Sequence, residues 1–417
     1  MSFTQEEKYK IQSVVDLFTS HFNFELNKKT LETLIFQGGM GVDVSGFELG
    51  TAVGETGSAG TISTTLSMYK KKLENLDHSL LIGINNLVAT VDYEKNYSLG
   101  EEMGVDFIAS GAGLTVNVAK RAKDQISHLG EKHYWTIPII SNVAQLKKRI
   151  PVGWGYMILE NTDSGGHNGE GLGSEGTLEE YRHNPVDKGM NKVIYAGGVR
   201  TPADFVKVID HGFDAVQMGT VFLGSIEADF KPQYKEMIIN AGEEGIPGVT
   251  RVPSVAGLAA SGFPIGVIEG VLKGEHYNKY PCADSRTKGC LMNCNNIRIS
   301  AEKIKLNPEE VGDYCIRQAL RAVNNGNKST YAPLVFSGMH PEKLLLKEWS
   351  PDRKPIPAKE IVAKFLIGAY DSIIDGSFKT PGFTGKITDE HRSFLENKFN
   401  LYQKNENQTL TAKILQL

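Results

Sequence analysis

One of the chain's ten histidines is set apart by its surroundings. His167 lies in the run Asp163-Ser164-Gly165-Gly166-His167-Asn168-Gly169, where flanking glycines leave an imidazole accessible. A ring that exchanges protons near neutral pH makes His167 a candidate general base, and an exposed loop histidine without a role is the plainer alternative. Two further runs, Ala196-Gly197-Gly198-Val199 and Met218-Gly219-Thr220, each close a short apolar stretch. Backbone N–H groups without a neighbouring Cβ can converge there on an anion, and phosphate is the anion such corners most often hold. Upstream, Gln37-Gly38-Gly39-Met40-Gly41-Val42 would let the backbone pass close to a flat ligand, although a tight turn explains it as well. Asn85-Asn86 offers amide donors and acceptors to a heteroaromatic edge, or is simply a turn-forming pair.

These residues need a scaffold that brings them together. Between about Leu34 and Leu223 short apolar runs alternate with polar, helix-like stretches, the rhythm of a parallel sheet with crossover helices. The runs read as strands are Leu34–Gln37, Gly60–Ser63, Leu80–Asn85, Phe107–Ser110, Ile137–Ser141, Tyr156–Glu160, Val193–Ala196 and Ala215–Met218. Eight strands apolar on both faces predict an α/β fold, a closed (β/α)8 TIM barrel rather than an open sheet. In such a barrel ligands sit at the C-terminal strand ends, and the loops after strands seven and eight are the usual phosphate site. Both glycine corners fall there, and His167 follows strand six.

Outside the barrel the chain divides more loosely. Met1–Lys29 reads as an amphipathic helix with Val14, Val15, Leu17 and Phe18 on its apolar face, placed to plug the barrel bottom or extend a surface. The expected organisation is a barrel over 1–225, a smaller, mostly helical lid domain over 226–345, and C-terminal helices over 346–417 that pack on the barrel. Two of those helices are expected at Lys359–Ile374 and Asp389–Gln403.

The 417 residues carry 40% hydrophobic and 23% charged side chains, a formal charge of −4 and 44 glycines, which suits a globular enzyme with many close backbone approaches. The acidic balance, without a long basic block, argues against nucleic acid and anionic membranes as partners and leaves a small-molecule substrate. Without a signal-peptide pattern or a run long enough to span a bilayer, the expected location is cytoplasmic. Cys282, Cys290, Cys294 and Cys315 crowd into one stretch. Their spacing is compact enough to suggest a metal, but no second close pair completes a site, so buried or incidental thiols are the preferred reading and no metal is assigned.

Taken in order, QGGMGVDVS from Gln37, GIN at Gly83–Asn85, SGAG at Ser110–Gly113, SGGHNG from Ser164, AGGV from Ala196 and MGTVFL from Met218 resemble the nitronate monooxygenase family, formerly the 2-nitropropane dioxygenases. The resemblance runs from about Ile35 to Ile226 and resumes near Asp313–Gly338 with YCIRQAL and LVFSG. It implies FMN held by Gly39 and Met40, Asn85, Gly165 and Gly166, Gly197 and Gly198, and Gly219 and Thr220, with the last pairs on the phosphate. It also makes His167 the catalytic histidine, taking the α-proton of a nitroalkane or stabilising an alkyl nitronate. Electron transfer to FMN and reaction with O2 would then yield a carbonyl compound and nitrite. The same superfamily contains NAD(P)H-dependent reductases of enoyl-acyl carrier protein and of quinones, so O2 or NAD(P)H remain alternative co-substrates. A flavin-binding subunit with little activity of its own is the third reading. A homodimer is compatible with the sequence. The stretch Leu159-Glu160-Asn161-Thr162-Asp163 departs from the family's pattern before the Gly-Gly-His.

Overall fold

A computed structural model describes the chain except for residues 1–2, 42–43, 64–70, 73, 89–92, 112–134, 150–153, 169–170, 185, 190, 245, 247, 253–259, 265–319, 321–322, 324–333, 406–408 and 417. Eight parallel strands close into a barrel: β1 (Ile35–Gln37), β2 (Ala59–Ile62), β3 (Leu81–Leu87), β4 (Phe107–Gly111), β5 (Trp135–Ile140), β6 (Tyr156–Glu160), β7 (Lys192–Ala196) and β8 (Ala215–Met218). Each strand neighbours the next in sequence, and β8 returns to β1 through Val216–Ile35, Gln217–Phe36 and Met218–Gln37 pairs. All eight predicted strands are present, displaced by a residue or two at their ends. Strands buried on both faces must be apolar throughout, and β1 and β2 are buried along their whole length.

The helices described around the barrel include α1 (Gln5–Leu17), α2 (Phe47–Glu55), α3 (Tyr93–Glu102), α4 (Val143–Arg149), α5 (Ser174–His183), α6 (Pro202–Asp210), α7 (Ala358–Asp375) and α8 (Asp389–Lys404). Helix α6 starts on a capping box in which the Thr201 hydroxyl accepts from Asp204 N–H at 3.1 Å and the Asp204 carboxylate accepts from Thr201 N–H at 3.0 Å. Pro202 follows at its first turn, where a missing N–H costs no hydrogen bond. The two C-terminal helices lie where the sequence places them. Helix α7 packs against α6, α2 and α1, so it fills the place of the barrel's eighth outer helix. Its sequence arrives about 140 residues after β8, at Ala358 rather than directly behind Met218.

Helix α1 does bury Val14, Val15 and Leu17, but against α7 and α8 on the flank of the barrel, and Phe18, just past its end, packs on Phe205 of α6 at 5.9 Å. The bottom is closed instead by a hairpin of Glu25–Leu26 with Lys29–Thr30, whose turn residues Asn27 and Lys28 take φ of 52° and 62°. A helix is too wide to enter so small a barrel, whereas one aromatic ring fits: Phe24 packs on Phe36 at 5.5 Å and Tyr156 at 5.7 Å between centroids. The plug is pinned at Asp106, which is 2% exposed and accepts from Asn27 Nδ2 and Lys29 Nζ, each at 2.8 Å, and from Ile82 N–H at 2.9 Å. Asp106→Ala strands these donors in a buried setting and is expected to destabilise the fold by about 3–5 kcal/mol, read from the urea midpoint at unchanged m-value.

The lid proposed over 226–345 lies for the most part outside the described residues, as do all four cysteines and the YCIRQAL segment except Leu320, whereas Ser225 and Ile226, at the proposed division, are described. What is described there includes a small antiparallel sheet of β9 (Thr250–Val252), β10 (Ala260–Pro264) and β11 (Leu334–Phe336). No helix among the described residues is long and apolar enough to cross a membrane.

Candidate active site

The barrel mouth opens into a cleft lined at every strand end singled out from the sequence: Gly39 and Met40 after β1, Asn85 on β3, Gly165, Gly166 and His167 after β6, Gly197 and Gly198 after β7, and Gly219 and Thr220 after β8. Gly38 N–H donates to Met218 O at 2.7 Å and ties the first loop to the last strand. Gly39 packs so closely on Asn85 that a Cβ added to it would lie 2.2 Å from Asn85 Cβ, which leaves glycine as the residue that fits. The asparagine pair divides into its two readings. Asn86 is buried, stands outside the cleft lining and donates to Tyr93 O at 2.9 Å, a structural role, whereas Asn85 lines the cleft; the Oδ1 of each is buried and unpartnered among the described residues.

The β7 loop needs its glycines for conformation as well as space. Gly197 and Gly198 have φ of 100° and 75°, a region that side-chain-bearing residues enter at a cost. Asn161 holds this loop by donating from Nδ2 to Ala196 O and Gly197 O, both at 2.9 Å. Asp163 then joins three elements: it accepts from Ser174 N–H at 3.1 Å at the start of α5, and from Arg200 Nη2 at 3.2 Å. Arg200 also donates to Gly198 O and Met339 O, each at 3.1 Å, so its charge sits at the rim already engaged. The Thr220 hydroxyl accepts from Gly338 N–H at 2.7 Å, which ties the β8 corner to the LVFSG segment.

His167 belongs to two structures at once. Gly166–His167 forms a short strand that pairs antiparallel with Ala260–Ser261 of β10, so the small sheet beyond the barrel sets the histidine's backbone. Its ring stands edge-on to Phe336 of β11, 5.3 Å between centroids at 74°. The half-buried ring lines the cleft, and burial pushes its pKa down to about 4, so it is neutral at physiological pH. Asn168 braces the turn behind it with bonds to Thr162 O, Ser164 O and Ser261 Oγ at 3.0–3.1 Å.

Sequence reasoning did not single out Glu160, Asn161, Asp163, Arg200, Ser63 or Phe336 as site residues. Glu160, Asn161 and Asp163 stand in the stretch that departs from the family's pattern, and Arg200 directly follows AGGV, which were the available signals. The β10 pairing joins residues more than ninety positions apart with no local mark, whereas Phe336 lies in LVFSG, whose resemblance to the family was the available signal.

A parallel eight-stranded barrel with glycine corners after β7 and β8 and a histidine lining the same mouth has the architecture of a (β/α)8 barrel enzyme. The chain belongs to the nitronate monooxygenase family, whose model matches residues 23–333, and is a flavin-type oxidoreductase. No curated protein sequence matches it. Among solved structures it is similar to FabK from Thermotoga maritima, with 21% identity, a TM-score of 0.60, and coverage of 83% of this chain and 96% of that one. It is also similar to nitroalkane oxidase from Streptomyces ansochromogenes, with 16% identity, a TM-score of 0.56, and 83% and 97% coverage. The enoyl reductase domain of MlnA from Bacillus amyloliquefaciens follows at 14% identity, TM-score 0.55, and 88% and 96% coverage. At these identities the likenesses show the fold.

Proposed function

We propose that this protein holds FMN across the barrel mouth and oxidises alkyl nitronates with O2 to a carbonyl compound and nitrite. The residues present suit such a group. Gly197, Gly198, Gly219 and Thr220 offer a backbone corner for its phosphate. Across the mouth, Gly39 leaves room for a flat ring, and the unpartnered buried oxygens Asn85 Oδ1 and Ser63 Oγ call for a polar ligand edge. When bound, the flavin supplies the electron transfer that no side chain here can perform.

The observation that carries the reading is His167 itself: a neutral, half-buried imidazole facing the cleft that the glycine corners line. In that form it can take the α-proton of a nitroalkane or donate a hydrogen bond to a nitronate oxygen without adding a charge to the cleft. Phe336 orients the ring and, with Leu87, Ile139 and Leu344, gives the cleft an apolar side for an alkyl group. A passive flavin carrier has no use for a base at this position.

The test begins with the visible spectrum of the purified protein, followed by ethylnitronate or propionate 3-nitronate in air with nitrite and oxygen uptake recorded. A yellow protein that releases nitrite is the expected result. Yellow protein that makes no nitrite but is bleached anaerobically by NADH or NADPH replaces the reading with that of a flavin reductase, and bleaching by neither leaves a carrier.

A further inference from the structure

His167 stands on a loop that its own glycines leave free to move. Gly165 and Gly166 precede it, Gly166 with a φ of 78°, and a base on such a loop is useful only if something else fixes the ring. Two asparagines staple this loop. Upstream, Asn161 Oδ1 accepts from Asp163 N–H at 2.8 Å, and Asn161 O accepts from Ser164 N–H at 3.2 Å. Downstream, Asn168 is 1% exposed and reaches back past the glycines, its Nδ2 donating to Thr162 O at 3.1 Å and Ser164 O at 3.0 Å. The same amide crosses to the small sheet. Its Nδ2 also bonds Ser261 Oγ of β10 at 3.1 Å, and its Oδ1 accepts from Arg251 Nη2 of β9 at 3.4 Å. An amide carries two donor hydrogens and an acceptor on one planar group, which no carboxylate or hydroxyl does.

We propose that Asn168 is a positioning residue for the base: by closing the loop over Gly165-Gly166 and tying it to the small sheet, it holds the His167 ring against Phe336 and over the cleft. The inference rests on the reading of His167 as the proton acceptor given above. Without the amide the loop keeps its strand pairing with Ala260 and Ser261 but regains the freedom of its two glycines. A ring displaced by the order of 1 Å costs about 100-fold in rate. It also meets more water. Burial pushes His167 down to about 4, so a hydrated ring climbs back towards about 6.5. The charged groups around it are otherwise engaged: Asp163 is paired with Arg200 at 3.2 Å, Arg251 with Asn168, and His340 at the rim with Glu342 at 3.0 Å. Burial keeps Glu160 in its acid form up to about 8, and Ser261 and Phe336, from β10 and β11, do not titrate.

The experiment uses the full-length protein labelled with 13C at the histidine Cε1 positions and follows the His167 resonance, identified by its absence in His167→Ala, from pH 4.5 to 8. Wild-type His167 is expected to stay largely neutral over that range, whereas in Asn168→Ala the resonance should titrate with a midpoint between about 5.5 and 6.5. On a neutral nitroalkane the variant should lose about tenfold or more in kcat with KM changed by about threefold at most, and on a preformed nitronate only about threefold in kcat. Thermal unfolding and FMN affinity record whether the fold stands. Ser261→Ala removes one partner and leaves the loop's own bonds, so its midpoint should move the same way by a smaller step, to about 5, and it carries the test should Asn168→Ala fail to fold. A His167 resonance unmoved in both variants, equal rate losses on the two substrates, or a wild-type ring that already titrates near 6.5 overturns the positioning role. Midpoints that move in a protein oxidising neither substrate uphold that role and overturn the nitronate reading instead.

Discussion

His167→Ala is expected to stay yellow, with flavin bound at close to the wild-type affinity, and to lose roughly 10²–10⁴-fold in kcat/KM on neutral nitroalkanes, the range supplied by a positioned base. Its loss on a preformed nitronate should be far smaller, since that substrate has already given up the α-proton and asks of the ring only a hydrogen bond. The contrast between the two substrates separates a base from a merely structural histidine, which would depress both alike. The pH dependence gives a second check with a definite sign. The working form of a base is the unprotonated one, and burial lowers His167 to about 4. Activity on a neutral nitroalkane should therefore rise with pH only up to about 4–5 and run level from there towards neutrality, instead of rising around 6.5 as an unperturbed imidazole would require. An acid limb near 6.5 that vanishes in His167→Ala would mean that the ring is more hydrated in solution than its contacts with Phe336 indicate. Equal losses on both substrates would remove His167 from the proton-transfer step.

Gly198→Ala carries the other large effect. The added methyl meets two obstacles, a φ of 75° that costs about 1–2 kcal/mol for any side chain, and the Ser174 Cβ, 2.4 Å from where the new carbon would sit. Ser174 is held at the start of α5 by its bond to Asp163, so the β7 loop is the part that must move. A displacement of the order of 1 Å at the corner proposed for the phosphate is expected to weaken FMN binding by about 100-fold. Gly189→Ala is the matched control, because its φ is 52° while nothing lies within 4 Å of its added methyl. It should lose about 1 kcal/mol of stability and bind flavin normally. Should Gly198→Ala bind FMN as tightly as wild type, the phosphate does not lie in this corner.

Much of this molecule was legible in the linear chain because its signals are local. A strand buried on both faces has to be apolar for its whole length, so runs such as Ala215–Met218 announce themselves, and eight of them in βα rhythm leave few folds open. The glycines at Gly39, Gly197 and Gly198 were equally visible, since left-handed φ and close backbone approach exclude other residues. His167, which lines the cleft, was singled out by its glycine brackets. The tertiary structure alone decided what depends on distant partners. A strand two residues long, Gly166–His167, has no periodicity to read, and its pairing with Ala260–Ser261 spans more than ninety positions. Helix α7 was visible as a helix but not as the eighth of the barrel, because a helix's apolar face does not say which neighbour it will cover. The binding of Arg200 by Asp163 follows from which side chains three-dimensional closure brings within about 4 Å. Residue types and local spacing thus determined the barrel and the composition of its mouth, while the charge state of that mouth was decided by folding, since burial and pairing are properties of neighbours that the chain order does not contain.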